Sequence, residues 1–473
     1  MKFSNQTILS IPAAGLARLL FYSALLLFMG VRGFSGEARP PVDIPGQAFP
    51  PPRQLGLDRV DSLPVHDETC PACGFAVSVP DMDKLLQIDV NRNLPADAKW
   101  TMHAVEYDSD LCPYPGKGKV AFQADIVICP SCGYAEKNTV FSEPLDQDTA
   151  AWARDTLRSS MRPFQLRLLG QRGGEMKDEE IAVFYNVQEE VPDLIRTEHY
   201  RIVQTAKNAP PLVRAEAAWR AAWSCRKEFA APPRGDFLAK RVGNIEAKLE
   251  KAAKAPAGVK ERTSALRDLL TKRDKGGNQL LNAPERYAGA VLLAGLLDRQ
   301  GRRQDAESVL SRTYVSARER YSREEQDPLW ASTSGKGVLR NARPQILENA
   351  RAEIEQEISA RLSLLANERE YLYEALMFIE EAMLGDAIKD RDQALFYGYL
   401  IGEFHRRHGD LPLAVVWFKE VSNIADPESS YAKAAVLQYD EVVEQAAGNV
   451  NLLSAIGQEG ELIEKLRKIC KTE

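Results

Sequence analysis

Histidine is scarce, five in 473 residues. That leaves little material for imidazole catalysis, and no His-Glu-x-x-His helix, Gly-rich phosphate loop or recognisable Ser/His/Asp set offers another route to it. Excess positive charge is lacking too. The formal net charge is −6 with a pI of about 5.7, which gives no overall electrostatic reason to bind nucleic acid or an anionic membrane surface. The charge-free, mostly apolar run near the start, Leu19 to Val31, has thirteen residues. A comfortable membrane span needs about 20. No Cys directly follows that run, which argues against a bacterial lipoprotein anchor.

What is present at the N-terminus reads as an export signal over residues 1–38. Lys2 and Arg18 precede the apolar run, and Gly36-Glu37-Ala38 offers small residues for a signal peptidase. Arg32 and Arg39 flank the run on its far side, so a retained anchor stays open beside a cleaved signal. The expectation is an exported, periplasmic or otherwise extracytoplasmic chain, cleaved or held to the inner membrane by its N-terminus. Residues 39–65 carry seven prolines and no helical or strand period, the composition of an extended, semi-rigid linker.

The chemistry of the chain is concentrated in two copies of one five-residue pattern, Cys70-Pro71-Ala72-Cys73-Gly74 and Cys129-Pro130-Ser131-Cys132-Gly133. In each, Pro fixes φ and Gly accepts the left-handed conformation, a knuckle that turns backbone N–H groups toward the sulfurs. One knuckle supplies two thiolates, and two supply the four that tetrahedral Zn²⁺ takes. Cys70, Cys73, Cys129 and Cys132 are therefore the candidate metal ligands. Phe75, Val77 and Val79 alternate with smaller neighbours as in a half-buried strand, and Trp100 to Tyr107 and Val120 to Ile128 read similarly. Strands leaving Cys knuckles build a zinc ribbon, here over residues 66–140 with a 55-residue spacer between the knuckles.

Asp108-Ser109-Asp110-Leu111-Cys112, followed by Val127-Ile128-Cys129-Pro130-Ser131-Cys132-Gly133-Tyr134-Ala135, resembles the bacterial family catalogued as domain of unknown function 2225. The likeness covers about residues 66 to 230, and the second knuckle is its most specific part. It implies a Cys-stapled module with helical repeats behind it and leaves activity unassigned. The chain departs from the family's pattern in Glu106 and Tyr107, where a basic residue is expected, and in its export signal.

Other residues of the module read more plainly. Cys112 is a fifth thiol, a replacement ligand or a small buried hydrophobe; Asp108 and Asp110 are acceptors behind the metal ligands, a weak cation site or a solvated turn. His66 and His103 are substitutes for a ligand only if a knuckle thiol is not used. Between His66 and Val140 eleven acidic residues face six basic ones, a charge that repels nucleic acid. The basic stretch Arg234 to Lys275 reads as an amphipathic helical pair with solvated faces.

From about residue 145 the period becomes helical. Residues 145–275 read as helical hairpins, with Ala217, Ala218, Ala221 and Ala222 beside Trp219 and Trp223, small residues next to aromatics at close-packing positions. Residues 276–473 twice follow the tetratricopeptide order of large, small, large, turn glycine, small, large. Leu293, Ala294, Leu297, Gly301, Ala306 and Leu310 form one copy; Ile401, Gly402, His405, Gly409, Ala414 and Phe418 form the other. Pro344 to Asp386 reads as one or two long helices whose Glu353, Glu357, Arg361, Glu368 and Glu370 make a solvated face. His405 and His408, three apart on a helix, are a possible metal pair without an obvious third ligand.

The expected fold class is α+β and mostly α: a small zinc-ribbon-like β module followed by an α-helical-repeat, tetratricopeptide-like solenoid. Export and zinc pull against each other, because an oxidising compartment turns neighbouring thiols into disulfides unless a metal arrives first. Structural Zn²⁺ is the leading reading, with disulfides or a rubredoxin-like iron as alternatives. The function expected is a non-catalytic interaction scaffold that binds a protein or peptide through its helical repeats. A redox or electron-transfer protein is the second reading, and a metal hydrolase using Asp108 and Asp110 the third.

Overall fold

The structure of the chain is a computed structural model. It describes residues 65–80, 106–107, 113–114, 125–129, 131–157, 193–231, 233, 236–252, 258–272, 281, 283–324, 343–427, 429–445 and 452–471. The expected signal peptide or anchor, the proline-rich linker, His103, Asp108, Asp110 and Cys112 lie outside these residues.

Three antiparallel two-stranded hairpins make up the described β structure. Strand β1 (Val65–Thr69) pairs with β2 (Ala76–Pro80), β3 (Glu106–Tyr107) with β4 (Pro113–Tyr114), and β5 (Ile126–Ile128) with β6 (Ala135–Lys137). The alternation expected after the first knuckle is present: Val77 and Val79 are fully buried, whereas Ala76 is exposed.

Helices dominate the rest, twelve of them among the described residues. A short helix, α1 (Gln147–Trp152), starts where Asp146 accepts a hydrogen bond from the Thr149 amide at 2.8 Å. Next come α2 (Asp193–Ala206) and α3 (Pro211–Ala230), the second opened by a proline at a position where no backbone N–H is needed. Helices α4 (Asp236–Ala252) and α5 (Val259–Thr271) both pack on α6 (Ala283–Arg299), which pairs with α7 (Arg303–Glu324). The 42-residue α8 (Arg343–Leu384) is one unbroken helix and lies along α3. Four helices complete the chain: α9 (Arg391–His408), α10 (Leu411–Ile424), α11 (Ser430–Gln445) and α12 (Leu452–Lys471). Among the described residues no helix is long and apolar enough to cross a membrane.

Hairpin packing follows the sequence closely where small residues were singled out. Ala217, Ala218, Ala221 and Ala222 are fully buried on α3, between α2 and α8. At the α9/α10 crossing a Cβ on Gly402 would stand 2.8 Å from the Phe418 ring, so only glycine lets these helices approach this closely. Gly409 ends α9 at φ 83°, with the amides of Gly409 and Asp410 closing on the carbonyls of Arg406 and His405. Buried side chains from α3 to α12 join in one apolar cluster, so the helical body has a continuous core.

One expectation about this body is overturned. The Glu353 to Glu368 face of α8 is not solvated. Glu353 accepts from the Leu238 amide at 2.8 Å at the start of α4, and Glu357 pairs with Arg361 at 2.7 Å. Arg361 in turn donates to the Phe229 and Ala231 carbonyls, satisfying the open end of α3. Glu368 is fully buried, and of the group only Glu370 is exposed. The i, i+4 spacing is the same whether a face meets water or other charges; here α3, α4, α7 and α9 cover it.

Candidate metal centre

The two knuckles are built alike. In the first, the Cys70 amide donates to the Phe75 carbonyl at 2.8 Å and the Gly74 amide to the Cys70 carbonyl at 2.9 Å. In the second, the Cys129 amide donates to Tyr134 at 2.7 Å and the Gly133 amide to Cys129 at 2.9 Å. Gly74 and Gly133 adopt φ of 75° and 78°, the left-handed turn that glycine enters without a Cβ penalty. Each turn closes an antiparallel hairpin, β1–β2 or β5–β6, which fixes the direction of its cysteine side chains.

The hairpins bring all four knuckle sulfurs together, within 4.8 Å of one another. Cys70 Sγ lies 3.7 Å from Cys132 Sγ, and Cys73 Sγ lies 3.5 Å from Cys129 Sγ. Tetrahedral zinc with metal–sulfur bonds of about 2.3 Å requires sulfurs about 3.8 Å apart. A disulfide requires about 2.05 Å. All four are free cysteines, three buried and Cys73 half-buried. The geometry fits a tetrathiolate metal site.

Electrostatics point the same way. Hydrogen bonds from Cys129 and Cys132 hold the Cys73 thiol far below its ordinary pKa, while Cys129, Cys70, Cys73 and burial hold Cys132 far above its own. Four thiols packed this closely cannot all ionise side by side. A dication resolves that conflict by accepting all four as thiolates.

Helices α2 and α3 grip the second knuckle's hairpin. Arg196 donates to the Ile126 carbonyl, and Arg220 clasps Asp125 at 2.8 and 2.9 Å. Lys207 and Gln204 reach Glu136 at 2.6 and 2.8 Å, and Lys137 pairs with Glu216 at 2.7 Å. His199 Nδ1 donates to the Gly133 carbonyl at 2.6 Å, directly behind the turn. Burial pushes His199 down to about 4, so its ring is neutral at physiological pH. Sequence reasoning passed over His199. Its only sequence signal was being one of five histidines on a helix that also carries apolar core positions.

The other candidates fall elsewhere. His66 is exposed, pairs with Glu68 at 2.8 Å, and is not among the side chains that converge with the sulfurs. His405 and His408 are largely shielded on α9, and the four knuckle cysteines are the only described group of three or more metal-binding side chains that converge. His405 Nε2 faces Glu459 at 3.7 Å. Cys225 is buried in the helical core, and burial raises its thiol pKa. Compared with known proteins, the chain matches no family model, no curated protein and no solved structure.

Proposed function

We propose that the chain is a non-catalytic interaction scaffold in which Zn²⁺, bound by Cys70, Cys73, Cys129 and Cys132, staples the N-terminal hairpins to a stack of tetratricopeptide-like helical pairs. The sulfur geometry carries this reading: four thiols at tetrahedral spacing, well beyond disulfide distance, in two matched knuckles. In this proposal the domain-of-unknown-function 2225 likeness reflects a shared architecture. The protein works outside the cytoplasm, released or tethered by its N-terminus, where the metal keeps the thiols from oxidation.

A protein or peptide partner is met by the helical body. Tyr373 and Met377 stand one turn apart on α8 and, with Leu384 near its end, are 40 to 44% exposed. Large apolar side chains at that exposure suit a partner surface. Nucleic acid is a poor fit for a net charge of −6.

Elemental analysis with thiol counting on the purified chain tests the metal. One zinc per chain, with four thiols that react only after chelation, is the expected result. Iron with visible absorption would make the site an electron carrier instead, and four oxidised cysteines without metal would sink the zinc reading. A photo-crosslinking residue at Met377 tests the partner in cells. A discrete adduct that a crosslinker at exposed Glu370 does not give supports the scaffold; none at either position counts against it.

A further inference from the structure

The two knuckles share a backbone turn but not their surroundings. A Cβ on Gly133 would stand 2.8 Å from the His199 ring, whereas a Cβ on Gly74 would meet none of the described residues within 4 Å. Gly133 is buried in consequence, and Gly74 is exposed. The cysteines just before these glycines differ in the same way: Cys132 is 2% exposed, and Cys73 is half-buried. Cys70 and Cys129 are 1% and 0% exposed. The Cys73 thiol is also the least enclosed of the four. Solvent therefore meets the sulfur cluster at one ligand, beside the open turn of the first knuckle.

The sulfurs also approach one another across the knuckles. Cys73 Sγ lies 3.5 Å from Cys129 Sγ, and Cys70 Sγ lies 3.7 Å from Cys132 Sγ. A disulfide needs such a gap to close to about 2.05 Å. The first hairpin is free to make that movement. Among the described residues no helix holds it by a hydrogen bond or ion pair, while α2 and α3 fix the second hairpin through Arg196, Arg220, Lys207 and His199.

We propose that Cys73 is the point at which a hydroperoxide oxidises the metal centre, with Cys129 as its disulfide partner and Cys70 with Cys132 as the second pair. This site rests on the zinc reading above: zinc holds all four sulfurs as thiolates, and the thiolate is the form that attacks an oxidant. The Cys73 sulfur attacks one oxygen of hydrogen peroxide. An S–O bond forms, the O–O bond breaks and hydroxide leaves, giving a sulfenic acid. The Cys129 thiolate then attacks the Cys73 sulfur; an S–S bond forms, the S–O bond breaks and a second hydroxide leaves. The two thiolates have given two electrons to one peroxide, and the metal keeps only two sulfurs. A second peroxide joins Cys70 to Cys132 in the same way and frees the ion. The hairpins thus pass from a metal staple to two covalent links and stay joined.

The test is titration of the reduced, zinc-loaded full chain with hydrogen peroxide, with released zinc read by a metallochromic dye and disulfides mapped on unreduced peptides by mass spectrometry. One zinc per chain should leave, and the Cys73 to Cys129 link should form ahead of the Cys70 to Cys132 link. Any other first disulfide overturns the proposal, links within a knuckle included, as does retention of zinc while Cys470 oxidises. A chain that carries no zinc before peroxide is added overturns the zinc reading itself and this site with it. Hydrogen exchange gives a second readout. Residues 65–80 should stay more protected after peroxide than after chelation, which opens the same hairpin without replacing its link. Equal exposure in the two samples counts against the cross-knuckle disulfides.

Discussion

Metal removal should release the two knuckles unequally. The second hairpin is held by α2 and α3 through Arg196, Arg220, Lys207, Lys137 and His199. Among the described residues the first hairpin has no hydrogen bond or ion pair to any helix, and its polar link to the second is through the sulfurs. An isolated two-stranded hairpin is only marginally stable in water. Structural zinc contributes about 10 to 16 kcal/mol in small zinc domains, so a knuckle that supplies half the ligands gives up about 5 kcal/mol or more when it opens. At about 1.4 kcal/mol per tenfold, chelation should speed amide exchange over residues 65–80 by at least about 1,000-fold. Hydrogen exchange read by mass spectrometry, on reduced protein with and without chelator, measures this peptide by peptide. Residues 126–137 should lose markedly less protection, because the helices still hold them. Equal loss in both hairpins, or no loss over 65–80, would refute the argument.

Glu368→Gln leaves Arg226, Arg303 and Arg407 without their shared carboxylate and should cost about 3 to 5 kcal/mol in denaturant unfolding. A loss below about 1 kcal/mol would mean the cluster is not buried as described. Gly402→Val drives a side chain into the Phe418 ring, 2.8 Å from where its Cβ would sit; calorimetry should show about 1 to 3 kcal/mol of overpacking. Glu380 titrates near 7 because burial, with Glu459 close by, disfavours its ionised form. A folded pKa raised above the unfolded value means that stability is lost as pH rises through about 4.5 to 7. Glu380→Gln should therefore raise the unfolding free energy at pH 8, by about 2 kcal/mol, and leave it nearly unchanged at pH 4. An equal gain at both pH values would rule out titration as the cause.

Local demands made much of this architecture readable in advance. A Cys-Pro-x-Cys-Gly turn specifies its own hydrogen bonds and its left-handed glycine, so both knuckles could be drawn from five residues each. Gly402, Ala294 and Ala306 mark helix crossings because a larger side chain has nowhere to go, and Gly409 marks a helix end because its backbone needs positive φ. Such signals are complete within a turn or a hairpin.

Burial across long separations was not readable in the same way. Glu353, Glu357, Arg361 and Glu368 present a spacing equally suited to a wet face. Only the docking of α3, α4, α7 and α9 against α8 turned it into helix caps and a buried charge hub. Likewise nothing in the residues around His199 announced that its ring would sit behind Gly133, 66 positions away. Residue pattern alone places four cysteines in two metal-ready turns ahead of a run of helical hairpins. It takes the assembled fold to bring the four sulfurs together, to set which helices hold the second turn, and to strip water from particular charges. A side chain's partner across the fold depends on what the rest of the chain carries to it, and no local period encodes that.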